Sequence, residues 1–64
     1  MIITRFDRLD RVQYHGIAYT VLDVKVDRRN GEELIFYELA DAANNIEHVA
    51  DTDDGLTAIQ TALF

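Results

Sequence analysis

The sequence predicts a mainly β fold with one C-terminal helix, arranged as a small, strongly bent antiparallel sheet or small barrel. Three observations lead there. Arg29-Asn30-Gly31-Glu32 separates two runs of β-formers, Val21–Val26 and Leu34–Leu39. Asn-Gly supplies the positive φ angles of a two-residue type I′ turn. His15-Gly16 separates a second pair of runs, Arg11–Tyr14 and Ile17–Val21. Between the two hairpins the apolar alternation changes phase. Ile17, Tyr19 and Val21 are odd-numbered, whereas Leu22, Val24 and Val26 are even.

Each element follows from local chemistry. A two-residue loop at His15-Gly16 pairs Tyr14 with Ile17 and Val12 with Tyr19 on one face. The Asn30-Gly31 turn pairs Val26 with Ile35, Val24 with Tyr37 and Leu22 with Leu39, giving an apolar core face. The opposite face is mixed. Lys25 stands opposite Phe36, Asp27 opposite Leu34, and Asp23 opposite Glu38, a like-charge pair that Lys25 can relieve. The phase change requires a bulge or sharp bend. Asp41–Asn45 reads as a turn and Ile46–Ala50 as a short fourth strand. Asp51-Thr52-Asp53-Asp54 has the composition of a helix start, with a capping residue and acids at the positive end of the dipole. Leu56, Ile59 and Leu63 then share a helical face, predicting a helix over about 52–63. Gly55, Thr57 and Thr61 weaken it. At the N-terminus, Ile2-Ile3-Thr4 fits an edge strand, and Phe6 and Leu9 fit a short turn. The whole chain, 1–64, reads as one domain with its hairpins over about 10–40.

The segment from Asp10 to Val24, with Val12, Tyr14, Gly16, Tyr19 and Val21 in order, resembles the first hairpin of SH3-like small barrels of the Tudor and KOW kind. The resemblance covers about residues 10–50. It implies an SH3-like barrel. Such barrels occur in nucleic-acid-binding domains, peptide-binding domains and small phage head–tail connectors, so the resemblance implies a fold rather than one function. A phage or plasmid origin is implied by the connector likeness alone. The acidic second half departs from the basic strands of nucleic-acid-binding KOW domains.

Composition narrows the function. The 64 residues hold six Lys and Arg against twelve Asp and Glu, a formal charge of −6. There is no Cys, so neither a disulfide nor a thiolate-held zinc can staple the fold. A domain this size buries only about 60% of the surface its unfolded chain exposes. Its core must suffice or a second copy must complete it. All six bases lie within residues 1–29, which carry +2 with their four acids. Residues 30–64 carry eight acids and no base, hence −8. That asymmetry favours a partner with a basic surface. The longest apolar runs are too short to span a bilayer. The first residues lack a signal-peptide pattern, and a soluble, cytoplasmic protein is the expectation.

Chemistry is sparse. Without Ser or Cys, and with five Thr in no triad context, covalent acyl transfer is not expected. His15 and His48 are the only imidazoles and fall on different elements. The Asp51–Asp54 run fails the calcium-loop pattern, because position six is Leu56 and position twelve is Ala62. No enzyme activity, cofactor or metal is therefore expected. Arg5, Arg8, Arg11, Lys25, Arg28 and Arg29 make a nucleic-acid contact conceivable, but Asp7, Asp10 and Asp27 are interleaved and cancel much of the field. The expected function is a non-catalytic protein-interaction module, an acidic adaptor or assembly factor, with homo-oligomerisation open to it. A nucleic-acid-mimicking inhibitor is the alternative. The residues expected to meet the partner are Phe36, Glu32, Glu33, Asp53, Asp54, Leu63 and Phe64.

Overall fold

The computed structural model describes residues 4–59. It contains five antiparallel strands, β1 (Arg11–Tyr14), β2 (Ile17–Arg29), β3 (Glu32–Ala40), β4 (Ile46–Ala50) and β5 (Leu56–Ala58). They form one open sheet in the order β4-β3-β2-β1-β5. The first four strands are a meander. The fifth returns across the whole chain to pair with β1, setting Leu56 opposite Tyr14 and Ala58 opposite Val12.

Both hairpin turns form where the sequence places them. His15 and Gly16 have φ of 51° and 78°, and Asn30 and Gly31 have 52° and 80°. The ladders follow with Val12 opposite Tyr19, Val26 opposite Ile35 and Val24 opposite Tyr37. The bulge also forms. Register shifts between Val21 and Asp23, so that Val21, not Leu22, stands opposite Leu39. Leu22 is the extra residue and is exposed. The predicted Leu22–Leu39 pair is therefore wrong by one residue. A two-state alternation cannot stay on the core face across a phase change, and the bulge absorbs the mismatch at Leu22.

The predicted helix is corrected too. Among the described residues there is no helix, and residues 51–55 form turns leading into β5. Leu56 is buried opposite Tyr14 rather than lying on a helical stripe. Three local choices oppose the helix. The Asp53 side chain accepts the Gly55 amide at 2.9 Å, bending the chain instead of capping a helix. Gly55 sits where a Cβ would come within 3.3 Å of the Tyr14 ring. Thr57 prefers a strand, and the free edge of β1 offers one. Residues 60–63 of the predicted helix, the expected contacts Leu63 and Phe64, and Ile2-Ile3 of the expected edge strand all lie outside the described residues.

The core sits at the bulge end of the sheet. Val12, Tyr19, Val21, Tyr37, Leu39, Val49, Leu56 and Phe6 are buried together. Phe6 packs edge-on against Tyr37, with ring centroids 5.4 Å apart. Burying the ring of Tyr37 also buries a hydroxyl, which must find partners. It finds three. The Arg5 and Phe6 amides donate to it at 2.9 and 3.1 Å, and it donates to the Asp51 carboxylate. That uses the full capacity of a hydroxyl. Tyr37→Phe keeps the ring and removes all three bonds. We expect it to lower stability by about 1–3 kcal/mol, read as a lower urea midpoint with an unchanged m-value.

Candidate interaction edge of the β3 strand

The β2–β3 hairpin outruns its neighbours. On the β3 side, the last rung to β4 is Phe36 opposite Ala50. One further bond follows, from the Asp51 amide to the Ile35 carbonyl at 2.8 Å. β4 then turns away, and no described strand lies beside Glu32, Glu33 and Leu34 on the side away from β2. Main-chain groups alternate in direction along a strand. The Ile35 carbonyl faces Asp51, so Glu33, two residues back, presents its main chain to the same open edge.

A groove of about 150 Å³ lies where β4 diverges. Glu33, Leu34, Ile35 and Phe36 form one wall, and Ala50, Asp51 and Thr52 form the other. Leu34 is 40% exposed and Phe36 is half-buried. A strand edge beside apolar pockets is the arrangement used when an extended peptide adds to a sheet. A second, more open hollow lies by Phe6, Leu9, Ala58 and Ile59, against the last described residue.

The structure brings three of the expected contact residues together here. Glu32 and Glu33 are exposed at the hairpin end, and Phe36 lies in the groove. Glu33 is paired across the strands with Arg28 at 3.1 Å. Asp54 is exposed on the turn after β4. Asp53 is differently placed. One oxygen accepts the Gly55 amide and the other the Tyr14 hydroxyl at 2.9 Å, so its carboxylate holds the turn against β1. Sequence reasoning missed Ala50, Asp51 and Thr52 as the far wall. Counting rungs back from the Asp41–Asn45 turn shows that a strand ending at Ala50 stops opposite Phe36.

Asp51 fixes this wall. Its carboxylate accepts the Tyr37 hydroxyl and lies 3.6 Å from Arg5 Nε. The same guanidinium donates to the Leu56 and Asp53 carbonyls at 3.1 and 3.0 Å. Burial works against the Asp51 charge, but the Tyr37 hydroxyl and Arg5 outweigh it and hold its pKa below the ordinary value. The Gly55 amide and the Tyr14 hydroxyl lower that of Asp53. The Asn45 amide and side chain lower Asp41, which organises the β3–β4 turn. Lys25, at 3.0 Å, and then His48 lower Glu38. Lys25 thus relieves the Asp23–Glu38 juxtaposition, as its position allows.

Other cations are also engaged within the chain. Arg8 Nε donates to the Leu22 carbonyl, and Arg29 lies 2.9 Å from Asp27. His15 lies tilted against the Tyr14 ring, with ring centroids 4.1 Å apart, whereas His48 lies against Glu38. Among the described residues, no group of three or more His, Asp or Glu side chains is placed to hold a metal ion. No helix among them is long and apolar enough to cross a membrane.

The lowered carboxylates set an acid response. Groups with depressed folded pKa values add stability above their unfolded values, near 3.8 for Asp, and lose it as pH falls through the folded ones. Urea midpoints should hold steady from about pH 7 to about pH 5 and fall steeply below about pH 4. Asp51→Asn should flatten that fall and lower the midpoint at neutral pH. Comparison with protein-family models, curated proteins and solved structures returned no match to the chain.

Proposed function

We propose that the chain is a non-catalytic protein-interaction module of SH3-like barrel type, which takes an extended segment of a partner along the open edge of β3. The observation that carries this is the main chain of Glu33, left without a described strand on the side away from β2, beside the groove of Leu34, Phe36 and Ala50. An added strand would satisfy that main chain, and its apolar side chains would enter the groove at alternate positions. Glu33 and Asp51 line the groove and Glu32 adjoins it, a set of acids that favours Lys or Arg in the segment. The barrel reading is supported by the bulge that bends β2 and by the return of β5 onto β1. The internal pairing of Arg5, Lys25, Arg28 and Arg29 weighs against a phosphate-binding surface.

Selection of random-sequence peptides displayed on phage, with the folded domain immobilised, tests the reading without knowledge of the natural partner. We expect enriched peptides to alternate apolar and basic residues and to bind with Kd of about 1–100 µM. Leu34→Glu and Phe36→Ala should weaken that binding by about tenfold or more while leaving the thermal transition nearly unchanged for the exposed Leu34. Enriched peptides indifferent to both substitutions would remove β3 as the binding edge. A loss of binding in moderate salt, with Phe36→Ala silent, would favour an acidic mimic over groove docking.

A further inference from the structure

The opposite edge of the same hairpin carries a separate message. β1 pairs with β2 only from Ile17 to Thr20. The N-terminal segment continues that edge briefly, through Asp10 and Leu9 to Val21 and through Arg8 to the Leu22 carbonyl. Beyond Leu22, no described strand lies beside β2 on the side away from β3 as far as Arg29. Val26 pairs with Ile35, whose carbonyl points away from β2. By the alternation of an antiparallel ladder, Val24, Val26 and Arg28 therefore turn their main-chain groups to the open side. Consistent with this, the Val24 amide is met by the neighbouring Asp23 carboxylate, at 2.9 Å.

The side chains along this edge form a pattern. Asp23, Lys25, Asp27 and Arg29 share one face, with signs minus, plus, minus, plus. Reversed, the row reads plus, minus, plus, minus. An antiparallel copy of the same strand is therefore complementary to it. We infer that two copies of this chain pair β2 against β2 about a two-fold axis at Val26, forming one continuous sheet.

The register is specified. With Val26 opposite the partner's Val26, Asp23 faces the partner's Arg29 and Lys25 faces the partner's Asp27, each twice by symmetry. Within the chain Lys25 lies 3.0 Å from Glu38 and Arg29 2.9 Å from Asp27, so in the pair these cations are shared with the partner's acids. Opposite charges directly across a ladder stabilise it. Centring on Lys25 sets Asp23 against Asp27 and Lys25 against itself. Centring on Asp27 sets Lys25 against Arg29. Both are repulsive. Centring on Val24 stops at Leu22, whose carbonyl is taken by Arg8. The other face brings the two Val26 side chains together, each 42% exposed in the single chain. Pairing also covers an edge that small β proteins must otherwise protect. This surface is distinct from the β3 edge, and either can stand without the other.

Sedimentation velocity over a concentration series to about 1 mM tests the pairing. The wild-type chain should reach a dimer. Asp23→Arg alone sets Arg against Arg, and Arg29→Asp alone sets Asp against Asp. Each should dimerise about tenfold more weakly. In an equimolar mixture of the two variants, a mixed dimer sets both arginines of one chain against both aspartates of the other. Its association should therefore return to the wild-type level. Hydrogen exchange should show the Val26 and Arg28 amides protected at high concentration and not at low. A wild-type monomer throughout, single variants as strong as wild type, or a mixture as weak as its components would each overturn the proposal.

Discussion

One buried hydroxyl organises most of the molecule. Tyr37 lies at the centre of β3 with its ring in the core, where an unmet polar group is costly. Its hydroxyl draws the Arg5 and Phe6 amides down onto the sheet and holds the Asp51 carboxylate at the end of β4. With Asp51 fixed, Arg5 spans to the carbonyls of Asp53 and Leu56. Asp53 in turn takes the Tyr14 hydroxyl on β1. A chain without cysteine thus fastens Arg5 and Phe6 to the turn after β4 through a run of hydrogen bonds that starts in the core. The same arrangement makes β4 leave the sheet at Ala50, which is what opens the groove beside β3.

The bulge at Leu22 divides β2 into two working parts. Before it, Tyr19 and Val21 belong to the core. After it, Val24 is only half-buried and Val26 is exposed, because none of the described residues forms a second layer over the hairpin there. A two-stranded ribbon is marginal by itself. Here it is supported at one end by the core and along its length by cross-strand charges, Arg28 with Glu33 and Lys25 with Glu38. Such exposed pairs contribute little each. Their larger effect is to neutralise Lys25 and Arg28 where they stand, together with Glu38 and Glu33.

Much of the sheet was legible in the sequence. Asn30-Gly31 and His15-Gly16 announced both turns, because a two-residue hairpin loop has few chemical solutions. The turns fixed the ladders, and the parity change from Val21 to Leu22 announced the bulge. Its consequence for Leu22 was not legible, since the pattern shows that a residue is extra without showing which one. Over its described part, 52–59, the predicted helix does not form: Leu56, Ile59 and Leu63 fit a helical stripe in the sequence, while the competing bond between Asp53 and Gly55 and the edge of β1 lie outside any local pattern. At the candidate site, Phe36, Glu32 and Glu33 were readable from the face and turn they occupy. Ala50 could have been placed opposite Phe36 by counting rungs from the Asp41–Asn45 turn, whereas Asp51 and Thr52 lie past the strand, where no ladder fixes them.

The return of β5 onto β1 bears on how the chain folds. β1 through β4 meet their neighbours through short turns, so their contacts are local and can zip progressively from the two hairpins. The pairing of Leu56 with Tyr14, and the bonds from Arg5 to Asp51 and Asp53, join segments far apart in sequence. Their loop-closure entropy is met last, after the meander has already brought those segments near. Interactions at this seam are therefore formed late. They govern how slowly the native state opens more than how fast it is reached.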